Sequence, residues 1–148
     1  MIKELIFKEI ISLLNQRIEF ARQAINSAKE SRDNETKSSV GDKYETSRTL
    51  MQMEVEKNRV QLTKTEMLKS ELLKINLHHK FETVEFGSLV ITAQNSYFIS
   101  SAIGKIDIKN QSYFCISLAS PIGKLLHTKK VGDNFSFQGK KIEITDIS

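Results

Sequence analysis

The chain of 148 residues is long enough for one ordinary domain or two small units, and too short for a large enzyme with a deep, multilayered site. Its composition is globular, with 39% hydrophobic and 27% charged residues, and a formal charge of +4 is too small to indicate a nucleic-acid partner by itself. Charges interrupt the apolar N-terminus, and no segment reaches about 18 apolar residues. We therefore expect a cytoplasmic protein without a membrane-spanning segment.

The first predicted element is a long helix. Apolar residues recur at alternating steps of four and three, which is the heptad pattern of a helix that reserves one face for a partner helix. The predicted seam consists of Phe7, Ile11, Leu14, Ile18, Ala21, Ile25 and Ala28.

A second helix is predicted from about Lys43 to Leu77, because this stretch contains neither proline nor glycine. Its expected apolar contacts are Leu50, Met53, Val60, Met67, Leu72 and Leu73. Lys57, Lys64 and Glu71 occupy other expected seam positions, where they would lay their stems along the interface. The polar stretch 30–41, "ESRDNETKSSVG", is short. We therefore expect residues 1–77 to form an antiparallel coiled-coil hairpin with this stretch at its tip.

The pattern changes after residue 77. Five short runs rich in β-branched and aromatic residues are separated by turn residues, which predicts a small antiparallel sheet in residues 78–148. The runs are "SLVIT", "SYFIS", "SYFCISL", "NFSFQ" and "KIEITDI". One short helix is expected inside this region, with Ser120 as its cap, Pro121 in its first position, and Leu125 and Leu126 facing the sheet. The sequence thus predicts an α+β chain of two domains.

The histidines and the cysteine are expected to be structural. His78 and His79 are adjacent, so they point in different directions and form a poor metal pair; a solvated linker explains them better. Cys115 lies in an apolar stretch, which is typical of a packed, reduced thiol. The chain shows no Cys/His cluster, phosphate-binding glycine loop or Ser/His/Asp set.

Asp42 and Glu45, in "GDKYE", have two interpretations. Asp42 suits the N-cap of the second helix and Glu45 its third position, so the pair resembles a capping box, and carboxylates are stabilised at a helix N-terminus. Two carboxylates on one turn also suit Mg²⁺, which takes one or two protein carboxylates and leaves its other positions to water and phosphate oxygens. A rod-like hairpin would deliver such a pair into a site that already holds a metal and a phosphodiester.

Two motifs resemble those of the bacterial Gre family of transcript cleavage factors. "GDKYE" is similar to the family's Gly-Asp-x-x-Glu, and "SPIGKLLHTKKVGD" is similar to its Ser-Pro-Ile/Leu-Gly-x-x-Leu-x-x-Lys-x-x-Gly-Asp segment. The order and spacing of the motifs extend the resemblance over nearly the whole chain. It implies an FKBP-like C-terminal domain that docks on RNA polymerase, and a coiled coil that enters the secondary channel of the polymerase.

The resemblance also implies roles for individual residues. Asp42 and Glu45 would be the catalytic pair, holding Mg²⁺ and an attacking water near the 3′ end of the nascent RNA in the polymerase active site. The chain would then be a monomeric accessory factor that stimulates the polymerase's own cleavage, rather than an enzyme. The implied docking residues are Ser120, Pro121, Gly123, Lys124, Lys129, Lys130, Gly132 and Asp133.

Two alternatives to a cleavage factor stay open. The residues after Glu45, "TSRTL", differ from those usual in cleaving members, and a non-cleaving regulator of the polymerase could use the same scaffold. A free-standing prolyl isomerase of the FKBP type, with the helices as a dimerisation arm, would need a pocket lined by aromatic residues. The chain has no tryptophan, and Phe98, Phe114, Phe135 and Phe137 alternate with polar residues as strand core does. Cleavage is the favoured interpretation.

Overall fold

A computed structural model describes the backbone of residues 1–38 and 42–148 and the side chains of residues 1–34 and 45–148. Two long helices come first, followed by six strands and one short helix. The elements are α1 (Ile2–Ser38), α2 (Asp42–Leu72), β1 (Leu89–Thr92), β2 (Ser96–Ile99), β3 (Gly104–Ile108), β4 (Gln111–Ile116), α3 (Pro121–Leu126), β5 (Asn134–Phe137) and β6 (Lys140–Ile147). The predicted order of a helical pair and then a small sheet with one short helix is confirmed.

The chain forms two compact units. One comprises Ile11–Ser70, and the other combines Met1–Ile10 with Glu71–Ser148. The ends of both long helices therefore belong to the compact unit that holds the sheet, whereas the predicted domains were residues 1–77 and 78–148. Among the described residues, no helix is long and apolar enough to cross a membrane.

Contacts within the unit of residues 11–70 show that α1 and α2 run antiparallel. Arg22 forms an ion pair with Glu66 at 3.2 Å, and further along α1 Arg32 donates a hydrogen bond to Gln52, nearer the start of α2. From Leu14 onward the predicted seam of α1 is confirmed, since its five positions to Ala28 are all buried. Before Leu14 the fully buried residues are Ile6 and Ile10, and the predicted Phe7 and Ile11 are half-buried.

The predicted seam of α2 is wrong over most of its length. Leu50, Met53, Val60 and Met67 are exposed, as is Leu73, which follows the end of the helix, and only Leu72 of the predicted set is buried. The buried and half-buried positions of α2 follow another stripe at heptad spacing: Met51, Val55, Asn58, Leu62, Thr65, Lys69 and Leu72. The expected stripe contains Lys57 and Lys64, whereas the stripe that packs on α1 has no charged residue from Met51 to Thr65.

The helices also differ from expectation at their ends. The stretch predicted as a polar loop is helical up to Ser38, so α1 has 37 residues. Glu, Arg and Lys are good helix formers, and an exposed helix end does not require apolar residues. At the other end α2 stops at Leu72 rather than at Leu77, and the amides of Lys74 and Ile75 form turn bonds to the carbonyl groups of Glu71 and Leu72.

The sheet has the strand order β3-β4-β2-β1-β6-β5. All neighbours are antiparallel except β2 and β4, which are parallel. The five predicted runs correspond to the other strands, but β3 was missed because only Ile106 and Ile108 mark it as β-branched. Its signal is the turn into β4, where Lys109 and Asn110 both have positive φ, as a two-residue hairpin turn requires. The core of the sheet unit includes Val84, Val90, Tyr97, Ile99, Leu126, Phe135, Ile142 and Ile144.

The short helix α3 begins where it was predicted. Ser120 is its N-cap and Pro121 stands in its first turn, where the missing amide hydrogen costs nothing. Leu126 is fully buried in the core, whereas Leu125 is 39% exposed, so only one of the two leucines expected to face the sheet does so.

Candidate functional site

The first candidate site is the N-terminal turn of α2. This helix begins at Asp42, where the sequence predicted the cap of a helix starting at about Lys43, and the side chain of Asp42 and the residue Gly41 lie outside the described parts of the chain. Glu45 follows three residues later, and its side chain is exposed. Residues three apart on a helix share one face, so the first turn presents both carboxylate-bearing positions on the same side.

The surroundings of Glu45 are open to solvent. The Thr49 hydroxyl donates a hydrogen bond to the backbone carbonyl oxygen of Glu45 at 2.8 Å. The Glu45 carboxylate takes no part in this contact. A shallow cavity of about 330 Å³ is lined by Glu45, Thr46, Thr49 and Leu50. In the part of the chain whose side chains are described, no group of three or more His, Cys, Asp or Glu residues could hold a metal ion.

Arginines near the same end of the hairpin limit its negative charge. Arg32 donates hydrogen bonds to Gln52 at 2.5 Å and to Asp33 at 3.1 Å. Arg48 is exposed and lines one cavity with Arg32. The segment 29–48 holds five acidic and five basic residues in the sequence, so the field near Glu45 is close to balanced.

The second candidate site is the segment 120–133. Ser120 organises its start, since its hydroxyl donates to the Ser117 carbonyl oxygen at 2.7 Å and accepts from the Gly123 amide at 3.1 Å. Asp133 organises its end, where its carboxylate accepts a hydrogen bond from the Lys130 amide at 2.8 Å. Gly132 has a φ of 92°, a conformation that favours glycine. These three predicted docking residues therefore hold the fold of the segment.

The remaining predicted docking residues differ in what they offer a partner. Gly123 is buried, Pro121 and the side chains of Lys124 and Lys130 are exposed, and Lys129 is half-buried. The backbone of Lys129 contributes to the fold, since its carbonyl oxygen accepts a hydrogen bond from the Val84 amide at 2.9 Å. The structure therefore offers two fully exposed lysines in this segment for contact with an anionic surface.

We expect Gly123→Ala to destabilise the sheet unit by about 1–3 kcal/mol. A Cβ atom at this position would lie 2.1 Å from the Ser117 carbonyl oxygen and 3.0 Å from the Leu118 Cα, both backbone atoms that cannot rotate away. Urea unfolding followed by circular dichroism measures the loss, with Gly104→Ala as a comparison for strain from a positive φ without a close contact. An unchanged midpoint for Gly123→Ala would show that the turn at Ser117 does not need glycine.

Lys3 is a residue whose importance the sequence interpretation missed. Its side chain is only 3% exposed, its ammonium lies 5.0 Å from the centre of the Phe81 ring, and it donates a 3.4 Å hydrogen bond to the His79 carbonyl oxygen. Burial lowers the pKa of this ammonium. Its spacing in the sequence could have indicated that Lys3 is buried. Lys3 lies three residues before Ile6 and seven before Ile10, and both isoleucines are buried. Lys3 therefore ties the first turn of α1 to the segment that precedes the sheet.

The cysteine and the phenylalanines have structural roles. Cys115 is buried and free, and burial raises the pKa of its thiol to about 12, more than the Ser100 hydrogen bond lowers it. It therefore stays protonated near neutral pH, as predicted for a packed thiol. Phe98 is fully buried, and the other three phenylalanines of the prolyl isomerase alternative, Phe114, Phe135 and Phe137, belong to the core or pack against it.

The sequence matches no protein-family model, and none of the curated proteins matches it. Among solved structures, that of the transcription factor Gfh1 is similar to this chain, with 21% sequence identity over 93% of this chain and 92% of that one, at a TM-score of 0.39. At this TM-score the likeness transfers neither the fold nor the function of that protein to this chain.

Proposed function

We propose that this protein is an accessory factor of RNA polymerase that places the first turn of α2 in the secondary channel and stimulates cleavage of backtracked nascent RNA. The observation that carries the proposal is that α2 begins at Asp42, where the chain returns from α1, and exposes Glu45 on its first turn. The two motifs that resemble the Gre family support the same function from the sequence.

The chemistry we propose is hydrolysis with two metal ions. One Mg²⁺ belongs to the polymerase, and the carboxylates of Asp42 and Glu45 help to hold a second. Such ions would supply activation of the attacking water and stabilisation of the oxygen that leaves when the phosphodiester bond breaks, and Asp42 and Glu45 would help to hold one of them. Two carboxylates alone bind Mg²⁺ weakly. The pair would therefore act only where polymerase and RNA supply the other ligands.

The segment 120–133 is the proposed docking surface for the polymerase. Lys124 and Lys130 are exposed, and neither forms an ion pair within the described residues. Unpaired surface lysines can steer a protein towards an acidic partner and hold it there. The hydrogen bonds of Ser120 and Asp133 fix the backbone that carries these side chains.

Replacing Lys124 and Lys130 together by glutamate is expected to weaken polymerase binding about tenfold, with stronger loss at low salt. Affinity is measured between the full chain and purified core polymerase by interferometry. The matched control is Lys140→Glu with Lys141→Glu, which makes the same change of charge at two exposed positions of β6. Equal loss in both variants would indicate a general charge effect, and no loss in either would remove the docking role of this segment.

A second candidate is a regulator that binds the polymerase without stimulating cleavage. The balanced charge of segment 29–48 favours it, because the tip brings no net negative field that would concentrate metal ions. The two candidates differ in one readout. Shortening of the RNA in a backtracked complex indicates a cleavage factor, whereas binding that changes elongation without shortening the RNA indicates the regulator.

A further inference from the structure

One face of α2 carries a row of apolar side chains that α1 does not cover. Leu50, Met53, Val60 and Met67 are 54%, 63%, 53% and 64% exposed. Lys57 and Lys64 occupy the positions between them, so the six residues follow one another at steps of three and four. We call these six residues the outer stripe. It spans the 18 residues from 50 to 67, or about 25 Å along the helix.

The outer stripe has the pattern of a coiled-coil seam with no partner in the described part of the chain. Isolated apolar side chains are common on protein surfaces, but a continuous row at heptad spacing is typical of an interaction surface. The seam that α2 shares with α1 is a different stripe, through Val55 and Leu62. The helix therefore has a second face shaped to pack against another helix.

We propose that the outer stripe binds the outer stripe of a second copy of this chain, with the two α2 helices antiparallel. In this register Leu50 faces Met67 of the second copy, Met53 faces Lys64, and Lys57 faces Val60. The twofold axis repeats each contact, which gives six layers. Every lysine then packs its aliphatic stem on an apolar side chain while its ammonium reaches water.

The lysines decide the orientation. A parallel pair in register would place Lys57 against Lys57 and Lys64 against Lys64, so that like charges would meet in the seam. The antiparallel register removes both repulsions. It also brings Lys64 next to Met53 of the second copy, whose neighbour in the sequence is Glu54.

The charges beside the stripe are complementary in this register. Within the described residues, Lys57 and Lys64 form no ion pair, and Glu54 accepts hydrogen bonds from Asn58 without pairing with a cation. Each Lys64 can therefore meet the Glu54 carboxylate of the other copy. The antiparallel dimer thus pairs two charges that form no ion pair within the described residues of one chain.

Sedimentation equilibrium of the purified full chain tests the association, without polymerase. We expect the average mass to rise from 16.9 kDa towards twice that value as the concentration approaches the order of 100 µM, where small interfaces associate. Met53→Glu with Met67→Glu should keep the mass at that of one chain. The control Asn26→Glu, on an exposed position of α1, should associate like the wild type. A wild type that stays monomeric, or a double variant that still associates, overturns the proposal.

Cysteine crosslinking tests the orientation. Leu50→Cys and Met67→Cys are prepared as separate proteins, and the native Cys115 does not interfere because it is buried. A disulfide needs Cα atoms within about 7 Å, so the antiparallel dimer should crosslink only in a mixture of the two proteins. Each protein alone would place its cysteines about 25 Å apart. Crosslinking of either protein by itself, or none in the mixture, contradicts the antiparallel register.

Discussion

Replacing Asp42 by asparagine and Glu45 by glutamine in one variant is expected to reduce stimulated RNA cleavage at least about 100-fold while polymerase binding is retained. The amides keep the size of both side chains but lose the negative charges that Mg²⁺ requires, and metal stabilisation of a transition state is worth several kcal/mol. The loss of two carboxylates from a helix N-terminus costs only about 0.3–1 kcal/mol each, so the fold should remain. Cleavage and binding are measured on the same preparation.

The control for this variant is Glu30→Gln with Asp33→Asn. It makes the same two amide substitutions, also three positions apart, on exposed residues of α1. It should cleave like the wild type. If the Asp42 and Glu45 variant loses binding and cleavage to the same degree, the pair serves as a helix cap or contact. If it keeps cleavage, the pair holds no metal.

Shortening the hairpin by one heptad in each helix is also expected to abolish stimulated cleavage, although Asp42 and Glu45 remain. The contact of Arg22 with Glu66 identifies facing heptads, residues 18–24 and 61–67. Their removal keeps both seams in phase and withdraws the tip by about 10 Å. Metal ions in two-metal sites lie about 3.5–4 Å apart, so a displacement of this size removes the carboxylates from the reaction.

The length variant needs a control for the altered helix surface. In the control the hairpin keeps its length and its seam residues Ile18, Ala21, Leu62 and Thr65, and the other residues of both heptads become alanine. The shortened protein should lose only the helical signal of the seven residues deleted from each helix, and the full-length control should keep the circular dichroism of the wild type. Polymerase affinity should be unchanged in both proteins, but only the full-length control should cleave. Cleavage by a well-folded shortened protein would show that the hairpin does not act by reaching into the channel.

The sheet unit was largely predictable from the sequence because its signals are local. Alternating apolar residues and turn residues mark five of the six strands, and the Ser-Pro pair at 120–121 marks the start of α3. Strand β3 was not predicted because it forms by pairing with β4, and this pairing is a tertiary contact. Leu125 was misplaced for a similar reason, since a single turn of helix can bury either of two adjacent leucines.

The antiparallel topology of the hairpin could be predicted from the sequence, but the face of α2 that packs on α1 could not. The heptad count on α2 selected the stripe with the largest apolar side chains, through Met53, Val60 and Met67. The helix instead packs through Val55 and Leu62, and the same stripe includes the polar Asn58 and Thr65. Two stripes at the same spacing cannot be ranked by apolar content alone, because which of them α1 covers depends on tertiary contacts such as the cluster of Val55 with Ile25 and Ala28.

The positions of the candidate sites could be predicted from the sequence, but the roles of their individual residues could be predicted only in part. The start of α2 at Asp42 lies within one residue of the predicted start at about Lys43, because Asp is a residue type that favours helix N-termini. In the segment 120–133, however, the resemblance treats eight residues alike, whereas the structure separates fold-forming residues such as Ser120 and Gly123 from exposed ones such as Lys124. That separation depends on hydrogen bonds and burial, which no motif contains.

The central claim is that Asp42 and Glu45 help to supply a metal ion to the polymerase active site. The most direct measurement is the rate of RNA shortening in one defined backtracked complex as a function of Mg²⁺ concentration, with and without the full chain. The account predicts that the protein raises the rate and lowers the Mg²⁺ concentration needed for half of the maximal rate, and that the Asp42→Asn, Glu45→Gln variant does neither. A wild-type protein that binds the complex but leaves both the rate and the Mg²⁺ requirement unchanged would contradict it.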